Sequence, residues 1–249
     1  MRTIAISGKG GTGKSTLSAL IIRWIKDNKT RSILAVDADS NVNLNDLLGI
    51  SVDETVGGIR EEMRKSVDQI PGGMTKQAFL EYKIHTSLVE TPDFDLIAMG
   101  RPEGPGCYCY ANNLLRDILK TLSDNYQYVI IDNEAGMEHL SRRTTQKIDL
   151  LLIVSDPSAR GVRAAGKINR LLEELNTRIG ERHLLLNRVM DPVPEALQQI
   201  ISEEGLPILA TIPEDEQLRK LDQTGEPVWN IPEESPIYLE IDRFMKKLL

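Results

Sequence analysis

The 249-residue chain contains no apolar run approaching the roughly 18 residues that a membrane-spanning helix needs, which excludes a helical transmembrane protein and makes a membrane an unexpected partner. Positive charge is also in short supply. Thirty Lys and Arg face 37 Asp and Glu, for a net charge of −7, the wrong sign for binding nucleic acid by simple phosphate neutralisation. No nucleic-acid partner is expected. The opening Met1-Arg2-Thr3-Ile4-Ala5-Ile6-Ser7 runs straight into glycines and lacks the basic head, apolar middle and small-residue cleavage site of a secretion signal, so a cytoplasmic protein is expected. Cysteine is nearly absent. Only Cys107 and Cys109 occur, and a pair one residue apart in a reducing compartment is poorly explained as a structural disulfide.

What is present is enough apolar material for a core, 41% hydrophobic against 27% charged residues, arranged as short β-rich runs alternating with stretches of helical period. Seven strands are predicted: Thr3–Ser7, Ile33–Asp37, Asp95–Met99, Tyr128–Asp132, Leu150–Ser155, His183–Asn187 and Ile208–Ile212. Helical spacing falls between most of them, for example at Leu114, Leu115, Ile118, Leu119 and Leu122 and at Val162, Ala165, Ile168, Leu171, Leu172 and Leu175. Such alternation predicts parallel strands joined by crossover helices. Runs such as Leu150-Leu151-Leu152-Ile153-Val154 are apolar on both faces and belong in the middle of a sheet covered on both sides. The expected fold is therefore α/β, a doubly wound, mostly parallel sheet flanked by helices, in one domain spanning residues 1–249. The least regular region, 51–92, is expected to be an insertion or mobile lobe.

Gly8-Lys9-Gly10-Gly11-Thr12-Gly13-Lys14-Ser15 fits G-x-x-x-x-G-K-S/T directly after a predicted strand and before the helical run Leu17, Ala19, Leu20 and Ile21, and Gly8 to Thr16 are the expected nucleotide contacts. In such a loop glycines let backbone N–H groups converge on phosphate oxygens. The following helix presents its positive end, Lys14 neutralises β/γ charge, and Ser15 can ligate Mg²⁺. ATP and ADP are the expected ligands, because N-K-x-D, the usual guanine signature, is absent after the sixth strand. Asp37 and Asp39 close the second strand and Asp132 closes the fourth, at the carboxyl edge where open α/β sheets bind ligands. Mg²⁺ is well served by one or two carboxylates with water and phosphate completing the shell. Asn187 and Arg188 after the sixth strand, with Pro213 and Asp215 after the seventh, are candidate adenine contacts.

The glycine- and proline-rich stretch Gly100-Arg101-Pro102-Glu103-Gly104-Pro105-Gly106-Cys107-Tyr108-Cys109 presents two thiols on the same side of an extended segment. Two thiolates do not complete a tetrahedral site. A symmetric dimer supplies four; His85, His139 and His183 are alternative ligands, and buried apolar thiols are the plain structural reading.

Lys9, five residues before Lys14 in Lys-Gly-Gly-x-Gly-Lys-Ser, resembles the deviant Walker A motif of the ParA/MinD and nitrogenase iron protein superfamily of P-loop NTPases. That resemblance implies that Lys9 reaches the partner's phosphates across a nucleotide-linked homodimer, that Asp39 orients the attacking water, and that Asp37 lies near Mg²⁺. The superfamily carries proline where this chain has Ser40. Together with the 101–110 loop and Asp132-Asn133-Glu134-Ala135-Gly136-Met137-Glu138-His139, the chain is similar to CooC-type ATPases, the nickel-insertion accessory proteins of carbon monoxide dehydrogenase, and to the related acetyl-CoA synthase maturation ATPases. Their resemblance implies Ni²⁺ or Zn²⁺ at Cys107 and Cys109 and an apo carbon monoxide dehydrogenase or acetyl-CoA synthase as client. An iron–sulfur cluster at the four cysteines of a dimer, and a ParA- or MinD-type positioning ATPase, are the competing readings.

Overall fold

A computed structural model describes residues 1–29, 32–65, 73–100, 125–135, 147–174 and 178–249. In chain order these residues form β1 (Arg2–Gly8), α1 (Lys14–Asn28), β2 (Ile33–Ala38), α2 (Leu44–Leu48), α3 (Val56–Lys65), α4 (Lys76–Thr86), β3 (Val89–Glu90), β4 (Asp95–Ala98), β5 (Tyr128–Asn133), β6 (Lys147–Ser155), α5 (Ala159–Glu174), β7 (Arg178–Val189), α6 (Glu195–Glu203), β8 (Ile208–Pro213), α7 (Glu216–Thr224) and α8 (Pro236–Leu248). The strands build one sheet in the order β3-β4-β2-β5-β1-β6-β7-β8. All neighbours are parallel except β3 with β4. The doubly wound expectation holds, with helices on both faces.

Residues alternate between those faces. Ile4, Ile6, Ala35, Ile130 and Leu152 pack with α1 and α8, while Ala5, Val36, Ile97, Ile131 and Ile153 pack with α3, α5 and α6. Burial on both sides is why the central strands read as unbroken apolar runs. Helix α1 is buried around nearly its whole circumference, with Leu17, Leu20, Ile21, Trp24 and Ile25 among its inaccessible residues. It packs on the sheet beside α8, whose Ile237, Ile241, Phe244 and Met245 are buried in the same core. The weakly amphipathic C-terminal stretch therefore spends its apolar face inside the fold. Among the described residues no helix is long and apolar enough to cross a membrane.

Two differences from the predicted strands have local causes. The eighth strand, β3, is only two residues long and is made by a turn in which Phe94 N donates to Thr91 Oγ1 at 3.0 Å and Thr91 N to Phe94 O at 3.1 Å. Two residues carry no periodicity to read. Strands β6 and β7 begin earlier than their predicted runs, pairing exposed Lys147 with Arg178 and core residue Ile148 with Ile179, because the polar residues among them interrupt the apolar pattern. Within 51–92, the described parts form α3, α4 and β3, and Val56 and Ile59 are buried on the second face of the sheet. The predicted helix over 114–122 lies outside the described residues.

Candidate functional site

The glycine-rich loop joins the end of central strand β1 to α1. Helix α1 starts at Lys14 with Gly13 as its N-terminal flanking residue, in the left-handed region at φ 92°, and no side chain caps that end. Its first amides are thus available for an anionic ligand, which the helix dipole also favours. The loop is braced from within: Thr12 Oγ1 donates to Lys9 O at 2.8 Å, and Lys14 Nζ lies 3.4 Å from the same carbonyl. The Lys9 side chain itself is exposed at the loop's tip.

Strand β7 clamps the loop from the side. Asn187 Nδ2 donates to Thr12 O at 2.8 Å, and Arg188, itself left-handed at φ 60°, donates through its guanidinium to Gly11 O at 3.2 Å. Asn187 Oδ1 accepts from Arg188 N at 3.0 Å. Asn187 and Arg188, expected beside adenine, direct side-chain donors onto the phosphate loop. A side chain at position 13 would meet the Asn187 amide nitrogen directly. Gly13→Ala combines that collision with left-handed strain of about 1–3 kcal/mol, so it is expected to lower the melting temperature and weaken ATP binding by at least about tenfold. Thermal melts and equilibrium nucleotide titration check this; wild-type affinity in the alanine variant would contradict the clamp.

Asp37 and Asp132 stand opposite each other in the parallel register of β2 and β5, both buried. Their roles differ. Asp37 Oδ1 accepts from Asp39 N, and Oδ2 from Asn43 N and Leu44 N, all at 2.9 Å. It ties down the loop after β2 and the start of α2. Burial pushes its carboxyl above the usual range, and the three amides oppose that shift. Asp132 Oδ1 accepts from Ser18 Oγ at 3.1 Å, while its buried Oδ2 has no partner. Burial raises Asp132 to about 7, and the Asp37 charge pushes the same way against the hydroxyls of Ser15 and Ser18 and the Lys14 ammonium.

The buried oxygen of Asp132 beside the Ser15 hydroxyl fits Mg²⁺, which takes few protein oxygens and completes its shell with water and phosphate. No cluster of three or more His, Cys, Asp or Glu suited to a metal occurs among the described residues. Lys14 is lowered by burial and held charged by Asp132, Asp39 and Glu134. The carboxylates of Asp39 and Glu134 therefore bear on the same ammonium. Asp39 Oδ1 also accepts from Asn41 N at 2.9 Å, an Asx turn that orients the carboxylate within its loop.

Two expectations change or go unanswered. Asp215 caps α7, accepting from Gln217 N at 2.8 Å and Leu218 N at 3.1 Å, and also accepts from Ser235 Oγ at 2.5 Å and Ile237 N at 3.2 Å. Burial pushes its carboxyl up, but Ser235 and the three amides outweigh that and hold it below the usual range. With four donors on two oxygens, the Asp215 side chain joins α7 to α8 and is not available to a base; Pro213 ends the neighbouring strand β8, paired with Val189. Cys107, Cys109, His139 and the stretch from Gly136 lie outside the described residues. His183, on β7, faces Glu181 Oε2 at 3.5 Å.

Sequence reasoning missed Ser18. Its signal was a hydroxyl one helical turn after Lys14 in an otherwise apolar run, spacing that places it on the Asp132 side of α1.

The fold and this site define a P-loop nucleoside triphosphatase. A sequence model of the CobQ/CobB/MinD/ParA nucleotide-binding domain matches residues 3–228, and the chain belongs to that family. An uncharacterised ATP-binding protein of Methanocaldococcus jannaschii is 44% identical over 248 residues, covering 99% of this chain and 98% of the relative. The carbon monoxide dehydrogenase accessory protein CooC of Rhodospirillum rubrum is 28% identical over 233 residues, 89% of this chain and 87% of its own. The septum site-determining protein MinD of Pyrococcus horikoshii, solved with Mg-ADP, superposes with a TM-score of 0.71 at 23% identity, covering 99% of this chain and 95% of that one. The protein is an ATP-binding ATPase of the ParA/MinD type.

Proposed function

We propose that this ATPase is a metal-delivery switch of the cytoplasm, which holds Ni²⁺ or Zn²⁺ as cargo between the Cys107 and Cys109 pairs of two subunits. It uses ATP binding and hydrolysis to close and open that homodimer, and its client is an apo carbon monoxide dehydrogenase or acetyl-CoA synthase. Within the nucleotide site Ser15 and Asp132 hold Mg²⁺, with Asp37 behind them. Lys14 neutralises phosphate charge, Asp39 orients the attacking water, and Lys9 serves the partner's nucleotide. Mg²⁺ supplies charge neutralisation at the β/γ-phosphates when bound.

The observation that carries this reading is a shared anchor. Met99 N donates to Asp37 O at 2.8 Å, so the chain leaves β4 for the cysteine-bearing segment from a strand end bonded to the residue that fixes the Asp39 loop. The Asp39 loop and the root of the 101–110 segment thus leave neighbouring parallel strands at one sheet edge. The relative from Rhodospirillum, named as a carbon monoxide dehydrogenase accessory protein, supports the same client class. A positioning ATPase acting on a membrane or DNA is less well supported, since the apolar face of α8 is buried and the net charge is −7.

Equilibrium dialysis against Ni²⁺ or Zn²⁺, with and without a slowly hydrolysed ATP analogue, tests the proposal. Four thiolates per site predict about one ion per two chains, with tighter uptake in the presence of the analogue and, by linkage, tighter analogue binding in the presence of metal. The double variant Cys107→Ala/Cys109→Ala should lose uptake and coupling while retaining nucleotide affinity. Absence of uptake under both conditions, or equal coupling in the double variant, overturns it.

A further inference from the structure

Three loops converge over the phosphate site, and one contact joins two of them. Ser40 Oγ donates to Glu134 Oε1 at 3.0 Å. The sheet explains why they meet. Ala38 and Asn133 are register partners at the ends of adjacent parallel strands β2 and β5, so the two chains leave the same edge side by side, with Ser40 two residues past one strand and Glu134 one residue past the other. The next residue, Ala135, reaches the phosphate loop: a Cβ built on Gly10 would lie 3.5 Å from the Ala135 Cβ. On the other side Ser40 follows Asp39, whose carboxylate, like that of Glu134, acts on the Lys14 ammonium.

We propose that Ser40 and Glu134 are a pair of positioning residues for ATP hydrolysis, a hydrogen-bonded strut that sets the separation between the Asp39 loop and the segment leaving Asp132. The proposal rests on Asp39 acting on the attacking water. Asp37 fixes the base of the Asp39 loop through the amides of Asp39, Asn43 and Leu44. The strut acts farther out, on the residue that immediately follows Asp39. A proline at position 40 has no side-chain donor and could not form it, so the serine makes a connection that proline there excludes. A strut matters for turnover rather than for holding nucleotide. Phosphate binding uses α1 amides and Lys14, whereas alignment of water with phosphorus depends on where the Asp39 carboxylate stands, and small misplacements of a reacting group are costly.

The test uses the full-length protein, with steady-state ATP turnover at saturating Mg²⁺ and a separate equilibrium titration of ATP. A hydrogen bond to a charged acceptor in a partly exposed setting sets the scale: Ser40→Ala and Glu134→Ala should each lower kcat about five- to tenfold, and Ser40→Ala, which leaves the Glu134 charge beside Lys14 in place, should change Kd for ATP by less than about twofold. Ser40→Thr keeps the hydroxyl and should restore most of the turnover. Glu134→Gln keeps an acceptor oxygen and should fall between wild type and Glu134→Ala. The double alanine variant should be no slower than the worse single one, because both remove the same contact.

Multiplicative losses in the double variant overturn the strut, as do unchanged kcat in Ser40→Ala, a loss in Kd in that variant that matches its loss in kcat, or a threonine variant as slow as the alanine. If an alanine variant fails to fold by thermal melt, the threonine and glutamine variants carry the same comparison. Asp39→Ala separates the two readings. Wild-type turnover there would remove the water-orienting role of Asp39, whereas a slow Asp39→Ala with an unaffected Ser40→Ala would remove the strut alone.

Discussion

Alanine at position 14 is expected to reduce ATP turnover by about 10²–10³-fold or more, the scale on which preorganised charge stabilisation acts in phosphoryl transfer. Lys14 is buried at the start of α1, where burial lowers its pKa while Asp132, Asp39 and Glu134 favour its charged form. Removing the ammonium leaves those three carboxylates facing an incoming triphosphate with much of their compensation gone. Affinity for ATP should therefore fall along with kcat, and ATP should suffer more than ADP, which carries less charge toward the carboxylates. Arginine is a poor substitute, because its planar fork does not reproduce a compact point charge. Phosphate release and nucleotide titration measure both effects. Turnover within about threefold of wild type would remove Lys14 from the transition-state charge balance.

The second large effect concerns Asp132. With its carboxyl raised to about 7 by burial, the metal-free protein carries a proton there through much of the range below neutrality, and binding Mg²⁺ must displace it. Apparent Mg²⁺ affinity in the presence of nucleotide should rise with pH, by up to about tenfold per pH unit below pH 7, and level off above it. Folding stability has the opposite slope. The folded form binds more protons than the unfolded one between the ordinary carboxylate range and pH 7, so this residue makes the metal-free protein less stable as pH rises across that window. Mg²⁺ with nucleotide should recover the loss at neutral pH. Asp132→Asn should remove this residue's share of both pH dependences and lower Mg²⁺-dependent turnover by about 10²-fold. A Mg²⁺ titration independent of pH in the wild type would show that Asp132 does not carry the displaced proton.

Nucleotide chemistry was legible because its signals are local. Gly8 to Ser15 declare a phosphate loop through residue type and spacing alone, and the position between an apolar strand and a helical run confirms the context. Asp37 and Asp132 were legible as strand-ending carboxylates, but not as different from each other. Asp37 is saturated by three backbone amides, whereas Asp132 keeps a buried oxygen without a partner. That asymmetry depends on how the next seven residues turn back over Asp37. Asp215 shows what spacing does not carry: an aspartate after a strand at the ligand edge reads as a base contact, while its carboxylate is shared between the starts of α7 and α8, the latter twenty residues on.

By itself the amino-acid order determined the parallel α/β sheet, the phosphate loop and the family, since hydrophobic period and backbone-adapted glycines act over a few residues and survive any arrangement of distant parts. Only the tertiary structure decided that Asn187 braces Thr12, that Ser18 supports Asp132, and that Ser40 meets Glu134. These are hydrogen bonds between groups separated by 94 to 175 positions. Their geometry follows from strand order and register, which arise from packing two faces of one sheet at once and which no short stretch of sequence encodes.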